Sequence, residues 1–268
     1  GKKYHGILFA IAVVLTLLCI STGSYATQAD TVTDKKGDVV VITDMKEVRF
    51  FYTPVVSGSL PEEEAKHAVR VLRMKEGDEI NLMDGQGTFY RAEITTAANH
   101  HCLYNILDEE KQVRAWGGSI HLAVAPTKLN DRMEWLVEKA TEIGWDRVSF
   151  LDCQYSERRN IKTDRLEKIV VSACKQSHKA WVPVIDEMDS FKSFIQKWGL
   201  PKDSQDDGVQ RFICHCYEEE KPHLKDVLSH SIPTIVLVGP EGDFSLEEVS
   251  MAKEYGFRSV TLGKSRLR

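Results

Sequence analysis

The chain has 268 residues, of which 42% are hydrophobic and 28% are charged, and its formal net charge is −5. This composition fits a globular protein of one large or two modest domains and excludes a low-complexity chain. The acidic balance also excludes a surface that is basic throughout, so any contact with nucleic acid must be local.

Residues 1–44 have the character of an N-terminal extension. Two lysines precede an apolar run at residues 7–20, and Ser24-Tyr25-Ala26 follows, which together are typical of a secretory signal peptide. In the interpretation that we favour, Met45 begins the functional protein, the extension is extraneous, and the mature domains are cytoplasmic without a membrane anchor. In the alternative interpretation, the protein is exported.

Residues 45–115 are predicted to form a small β-rich domain, with a glycine-containing turn at 84–87. A short helix is predicted after Pro61, because three glutamates favour a helix N-terminus and the apolar residues that follow share one face. Short strands joined by such turns are typical of a small barrel. The predicted strands are 49–52, 79–83, 89–94 and 103–107.

Residues 119–268 alternate strand-like and helix-like segments, which is the pattern of a parallel α/β sheet. The first predicted helix has a clear apolar stripe, and Gly144 stands where a helix C-terminus favours glycine. Periodicity alone predicts a doubly wound sheet. The predicted strands are 120–125, 148–151, 184–186, 212–216, 235–238 and 260–262. The predicted helices are 132–143, 164–177, 191–198, 224–229 and 246–255.

Six cysteines are scattered through the chain without metal-ligand spacing, which is typical of a reducing compartment. Cys214 and Cys216 flank His215 in a strand-like run, where alternate residues face the same side of a sheet. The two thiols are therefore expected to share a face. No second pair of ligands follows them, and we expect no metal site.

The most informative stretch is residues 234–248, TIVLVGPEGDFSLEE. A buried strand is predicted up to Val238, and the segment 239–242 (GPEG) cannot continue it. Ser245 and Glu248 then form a capping box that opens a helix. Such a turn leaves backbone N–H groups free for a ligand. It matches neither a P-loop nor a dinucleotide-binding motif, and GPEG alone fits an ordinary loop equally well.

GPEGDFS, followed after one helix by LGKSRLR, resembles the RsmE family of ribosomal RNA methyltransferases. Further family-like segments occur in the same order over residues 45–268, and as an ordered set they are specific. These segments are HAVRVLRMKEGDEINLMDGQG (67–87), KLNDRMEWLVEKATEIGW (128–145), YSERR (155–159) and ACKQSHKAWVP (173–183).

The resemblance implies an enzyme that uses S-adenosylmethionine to methylate ring nitrogen N3 of a uridine in 16S rRNA of the small ribosomal subunit. It implies a PUA-like RNA-binding barrel at 45–115 and a SPOUT-type domain at 119–268. The SPOUT domain would end in a trefoil knot, an exception to the rule that chains do not thread. The resemblance also implies a homodimer.

For the cofactor, the resemblance implies a pocket with two walls, in which glycines let the backbone approach the ligand. Asp243 departs from the family pattern, because many members have a third glycine there. One wall is Leu237, Val238, Gly239, Pro240, Glu241 and Gly242. The other wall is Leu262, Gly263, Arg266 and Leu267.

For catalysis, the resemblance points to Arg158 and Arg159, whose guanidinium groups would hold phosphate or stabilise a developing uridine anion. Glu138 beside Lys139 belongs to a pair that the family shares. The residue that removes the N3 proton is left open, and His178 fits either a general base or a surface histidine.

Substrate contacts are expected in two regions. Residues 155–182 carry seven basic and three acidic residues, a local charge of +4, although a solvated helix face explains this equally well. In the barrel, exposed cations are candidates for phosphate contacts or for simple solvation. The candidates are Lys175, Gln176 and His178 in the first region, and Arg70, Arg73, Lys75 and Arg91 in the second.

The family pattern continues beyond LGKSRLR, whereas this sequence ends at Arg268. If that end is the end of the protein, we expect an incomplete knot and weak binding of S-adenosylmethionine. Two alternatives to the methyltransferase therefore stay open. One is a non-catalytic RNA-binding protein, and the other is an exported α/β protein that binds another ligand.

Overall fold

The computed structural model describes residues 32–33, 39–40, 49–98, 100–114 and 117–263. Within these ranges, no helix has the length and apolar character needed to cross a membrane. The predicted signal-like segment and Met45 lie outside the described residues. The described chain forms two compact units, which divide between Gln112 and Val113. At the start of the first unit, Val32–Thr33 (β1) and Val39–Val40 (β2) form an antiparallel pair.

The first unit contains a four-stranded sheet in chain order, with β3 and β4 parallel and the other pairs antiparallel. The segment after β3 returns to β6, where the Leu60 N–H donates to the Cys102 carbonyl at 2.9 Å. The sheet is therefore partly closed on itself, as in a small barrel. The strands are Phe50–Tyr52 (β3), Glu79–Met83 (β4), Thr88–Ala98 (β5) and His101–Lys111 (β6).

The helix predicted after Pro61 is present as Glu62–Lys66 (α1), and a π-helical turn at His67–Val71 continues it. Its apolar face packs into the core of this unit, where Ala65 and Ala68 are fully buried. The sequence pattern predicts the buried face but carries no signal for the wider π-helical turn.

The second unit is built on six parallel strands in the order β12-β10-β11-β7-β8-β9. The predicted parallel α/β architecture is confirmed. The strands are Ile120–Val124 (β7), Arg147–Asp152 (β8), Val184–Ser190 (β9), Gln210–Cys214 (β10), Thr234–Val238 (β11) and Arg258–Val260 (β12). The helices are Asn130–Ile143 (α2), Thr163–Ser177 (α3), Phe191–Trp198 (α4), Leu224–Val227 (α5) and Leu246–Glu254 (α6).

The chain order reverses between β7 and β11, which are neighbours in the sheet but far apart in sequence. In parallel α/β sheets, ligands bind beyond the carboxyl ends of the strands at such a reversal. The fold therefore directs attention to the loops that follow β7 and β11. The trefoil knot stays a prediction, because residues 264–268 lie outside the described ranges.

Local signals place the helix ends. The Ser245 hydroxyl accepts from the Glu248 N–H at 3.2 Å and the Glu248 carboxylate accepts from the Ser245 N–H at 2.8 Å, so the predicted capping box is present. Gly144 ends α2 with a φ of 118°, as predicted. Phe244, next to the capping box, is fully buried in the core between the sheet and helices α4 and α6.

The prediction that Cys214 and Cys216 share a sheet face is wrong. Strand β10 ends at Cys214, so the alternation of faces stops there. Cys214 is buried, and this burial raises the pKa of its thiol, whereas Cys216 is exposed. Across the described ranges, no cluster of His, Cys, Asp and Glu has the arrangement of a metal site.

Three polar side chains on adjacent strands meet inside the second unit. The His121 Nε2 atom lies 2.8 Å from the Ser149 hydroxyl, which donates to the Asp186 carboxylate. Serine occupies the middle of this row, so the trio lacks the order of a catalytic triad, in which histidine is central. Burial and the charges of Arg147 and Lys197 lower the pKa of His121 to about 3, despite the Asp186 carboxylate 4.0 Å away.

Buried neutral His121 is expected to make the protein less stable in acid. Between its ordinary pKa of 6.5 and its folded pKa of about 3, the unfolded chain binds one more proton than the folded chain. The free energy of unfolding should therefore fall, as the pH drops through this window, by up to about 1.4 kcal/mol per pH unit. Urea denaturation at about pH 7, 6 and 5 measures this fall. In His121→Asn the free energy of unfolding should fall less with decreasing pH than in the wild type.

The reference is the wild-type protein, unfolded under the same conditions at each pH. Contributions from other histidines cancel in the difference between two proteins. If His121→Asn has the wild-type slope, the buried neutral state of His121 is contradicted.

Candidate active site

Five loops leave the carboxyl edge of the six-stranded sheet at or near its reversal point. We name each after the strand it follows: the β7 loop (125–129), the β8 loop (153–162), the β10 loop (215–223), the β11 loop (239–245) and the β12 loop (261–263). The predicted cofactor residues that the structure describes belong to the β11 and β12 loops and to the end of β11.

The β11 loop is a tight turn, closed by the Asp243 N–H donating to the Pro240 carbonyl at 2.9 Å. The side chains of Leu237 and Val238 are fully buried in the core before it. Only the backbone of these two residues can therefore face a ligand. Gly242 is exposed at the tip of the turn.

Close packing explains the two glycines of this loop. A β-carbon on Gly239 would lie 3.1 Å from the buried Phe244 ring, and one on Gly242 would lie 3.0 Å from the Tyr155 β-carbon. Both distances are too short for an unstrained contact. The glycines therefore let the β11 loop lie directly against its neighbours, which leaves its backbone in one defined position.

Asp243 has a φ of 68°, in the left-handed region that favours glycine. This is the position where the family resemblance implies a third glycine. Aspartate is among the few other residues that adopt this conformation, because its carboxylate can bond locally. Here the carboxylate accepts from the Phe244 N–H at 2.8 Å and from the Cys216 N–H at 2.7 Å. Asp243 thus ties the β11 loop to the β10 loop.

Replacing Asp243 by alanine is expected to lower the free energy of unfolding by about 2–3 kcal/mol. Alanine loses both hydrogen bonds and keeps a β-carbon in the left-handed region. Asp243→Gly should lower the free energy of unfolding by about 1 kcal/mol less than Asp243→Ala does, because glycine adopts a positive φ freely. Urea unfolding of Asp243→Ala and Asp243→Gly checks this order, and equal losses in the two variants would argue against it.

The backbone of Lys128 in the β7 loop links the β11 loop to Arg158. Its N–H donates to the Glu241 Oε1 atom at 3.3 Å, and its carbonyl accepts from the Arg158 Nη1 atom at 3.3 Å. The other oxygen of Glu241, Oε2, is buried and has no hydrogen-bond partner in the described structure. A buried carboxylate oxygen in that state favours a ligand that brings a donor.

The two predicted walls of the cofactor pocket lie at the same edge of the sheet. The β12 loop follows β12, which is separated from β11 only by β10, so the two strands are roughly 10 Å apart. The β10 loop bridges this gap, because Pro222 accepts from the Thr261 N–H at 3.0 Å. Leu262 and Gly263 lie in the β12 loop, and Gly263 has a φ of 120°. Arg266 and Leu267 lie outside the described residues.

A buried histidine holds the β10 loop in place. The His215 Nε2 atom lies 2.9 Å from the Ser259 hydroxyl and 3.1 Å from the Glu219 carboxylate. A hydrogen bond from Lys253 lowers the pKa of Glu219 to about 2. Burial lowers the pKa of His215. This network connects β12, α6 and the β10 loop, and so supports both walls.

Arg158 and Arg159 differ in their partners. Arg159 donates to the Asp152 carboxylate at 2.6 Å and to the Gln154 carbonyl at 3.2 Å. Arg158 donates to two carbonyls, those of Asn160 at 2.7 Å and Lys128 at 3.3 Å. Among the described residues, no carboxylate pairs with Arg158, so its positive charge is available to a ligand beside the β11 loop.

A sequence model of an RNA methyltransferase domain matches residues 116–268, and one of an RNA methyltransferase PUA domain matches residues 60–107. The chain is 40% identical to a probable rRNA-methyltransferase from Porphyromonas gingivalis of known structure. That likeness covers 82% of this chain and 92% of the other, with a TM-score of 0.74. The chain belongs to the RsmE family of RNA methyltransferases.

Two further relatives carry the family name itself. The ribosomal RNA small subunit methyltransferase E of Synechocystis is 28% identical over 74% of this chain, a match that spans 64% of that protein, just under two thirds of its length. The corresponding protein from Neisseria gonorrhoeae, solved with bound S-adenosyl methionine, is 28% identical. That likeness covers 82% of this chain and 91% of the other, with a TM-score of 0.69.

The other predicted catalytic residue of this family member, Glu138, lies within α2. Its carboxylate pairs with Lys139 at 2.7 Å. Glu138 is eight residues beyond Asn130, the first residue of α2, and therefore roughly 12 Å along the helix axis. The structure does not join Glu138 to the arginines of the β8 loop.

Helix α3 separates the predicted substrate residues from the catalytic arginines. Arg158 and Arg159 precede its first turn, whereas Lys175, Gln176 and His178 lie in or after its last turn, roughly 20 Å away along the axis. Within one chain they do not form one site. His178 is exposed with a φ of 52°, and it ends the helix.

In the first unit, the predicted phosphate contacts are all exposed. Arg91 pairs with Glu79 at 3.5 Å, and Arg70 lies 3.1 Å from the His100 ring nitrogen. Arg73 and Lys75 follow the π-helical turn, and Arg73 has a φ of 57°. Their contact with RNA stays a prediction.

Proposed function

We propose that this protein transfers a methyl group from S-adenosylmethionine to N3 of a uridine in small-subunit rRNA. The observation that carries the proposal is the junction at Lys128, where the β11 loop meets Arg158. No carboxylate among the described residues pairs with this guanidinium. The RsmE family membership of the chain and the small-subunit rRNA named for its relatives supply the substrate class.

The residues of the β11 and β12 loops fit an elongated cofactor that carries hydrogen-bond donors. The buried Oε2 atom of Glu241 needs a hydrogen-bond donor, and an amino or hydroxyl group of S-adenosylmethionine supplies one. Gly239 and Gly242 let the β11 loop pack directly against Phe244 and Tyr155, which fixes the backbone that would face the cofactor. When bound, the cofactor would supply a methyl group on a sulfonium, and a ring nitrogen that attacks the methyl carbon would displace the sulfur as a neutral thioether.

The protein's own contribution is positioning and electrostatics. The β11 and β12 loops would hold the donor, so that the nitrogen can approach in line. N3 of uridine carries a proton that must leave, and its loss places negative charge on the ring. The guanidinium of Arg158 would stabilise that charge and so favour departure of the proton.

Methyl transfer to unmodified small subunits tests this proposal. Subunits from a strain that lacks the modification would be incubated with the full-length protein and isotopically labelled S-adenosylmethionine, and the nucleosides would be separated by mass spectrometry. The expected product is one labelled 3-methyluridine per subunit. Label on another atom, or none, would overturn the proposal.

The same family pattern supports a homodimer in the cytoplasm, where the rRNA substrate is made. Light scattering on the full-length protein should give twice the chain mass. Cell fractionation with and without residues 1–44 should place both forms in the cytoplasmic fraction. A monomer, or a form cleaved after Ala26 in an exported fraction, would contradict the respective proposal.

A further inference from the structure

A cavity of about 430 Å³ opens beside the candidate active site. It lies between the start of α2, the end of the β8 loop and the start of α3. Arg158 is the residue that it shares with the junction at Lys128. A cavity of this volume is within the range that binds small organic ligands.

The floor of the cavity is apolar and rigid. Met133 of α2 and Leu166 of α3 are buried beneath the cavity, and the half-buried Ile161 of the β8 loop lines it with apolar surface that a ligand can reach. These two helices pack against each other, so the floor cannot close by a side-chain rotation alone. An apolar surface of this kind suits the flat face of a base or the carbon face of a ribose.

The rim of the cavity is cationic. Arg165 is held by two bonds of 2.8 Å to both oxygens of Glu134, so its charge is neutralised and its position fixed. Arg158 bonds to two carbonyls, and Lys162 is exposed. Among the described residues, neither of these two side chains has an ion pair. The rim therefore keeps two positive charges that no described carboxylate offsets.

We infer that this cavity binds one nucleotide of the RNA strand next to the target uridine, with its phosphate on Lys162. The inference rests on the proposed function and names a subsite for the same substrate. Its base or ribose lies against Ile161, above the buried Met133 and Leu166. A phosphate contact carries no sequence information but sets the position of the strand, so this subsite would place the neighbouring uridine beside Arg158 and the β11 loop.

The first test is the salt dependence of RNA use. Lys162→Ala should raise the KM for small subunits about fivefold to tenfold, leave kcat within about twofold, and reduce the salt slope of binding by about 0.7. Lys162→Arg should restore most of the affinity, because it keeps the charge. The matched control is Lys202→Ala, an exposed lysine of the same unit outside the cavity, which should behave as wild type.

The second test needs no methyl transfer. Uridine 5′-monophosphate should protect Lys162 from acylation, as measured by peptide mass spectrometry, whereas uridine without phosphate should not. Protection in a protein that fails to methylate would overturn the proposed function and keep the cavity as a nucleotide site. Methylation with unprotected Lys162 and an unchanged salt slope in Lys162→Ala would overturn the cavity inference and keep the function.

Discussion

Replacing Arg158 by alanine is expected to lower kcat/KM for methyl transfer to the small subunit by roughly 10²–10³-fold. Arg158 bonds to two carbonyls and has no described carboxylate partner, so its charge can act on the uridine ring. Removing it would leave the developing anion without a counter-charge in a partly enclosed site. Initial rates at varied subunit concentration would separate the loss in kcat from the change in KM.

The matched control is Arg159→Ala in the same loop. The Arg159 guanidinium is paired with the Asp152 carboxylate, so Arg159→Ala should lower kcat/KM by less than about tenfold. Arg158→Lys should stay well below wild type, because an ammonium cannot keep both carbonyl contacts and also reach a ligand. Similar losses in Arg158→Ala and Arg159→Ala would contradict the different roles that their partners indicate.

Gly239→Val is expected to weaken binding of S-adenosylmethionine by at least about 100-fold. A single β-carbon at this position already lies 3.1 Å from the Phe244 ring, which is fully buried and cannot swing away. The branched side chain must therefore displace the β11 loop itself, and with it the backbone that faces the ligand. Calorimetric titration of the full-length protein with S-adenosylmethionine measures the effect.

Gly239→Ala should weaken binding of S-adenosylmethionine less in the same titration. One methyl group requires its neighbours to move by only a few tenths of an ångström. Gly117→Ala is the matched control, since a β-carbon there would lie 3.8 Å from its nearest neighbour, an ordinary contact. If Gly239→Val keeps the wild-type affinity and its circular dichroism spectrum shows an intact fold, the β11 loop does not bind the cofactor.

Several features of the site were readable from the sequence because their causes are local. The capping box at Ser245 and Glu248 depends on residues three apart, and the end of α2 at Gly144 depends on one residue's freedom of φ. The GPEG turn interrupts a strand wherever it occurs. Each of these features depends on residues that are close together in the chain, so it can be predicted from the sequence alone.

Other features depend on partners that are distant in the chain. Asp243 stood out in the sequence only as a departure from the family pattern, whereas the structure shows it bonded to the Cys216 N–H of another loop. The link through the Lys128 backbone had no signal at all, because a backbone group looks the same in every sequence. The cavity at Lys162 likewise exists only where two helices and a loop meet.

By itself, the sequence determined the alternation of strands and helices, the glycine-rich turns and the family, because each is written in residue type and spacing. Only the tertiary structure decided the strand order, the separation of Lys175 and His178 from the arginines by a whole helix, and the different partners of Arg158 and Arg159. The physical reason is that periodicity reports which face of one element is buried, whereas a site is made by loops whose meeting depends on how all the elements pack.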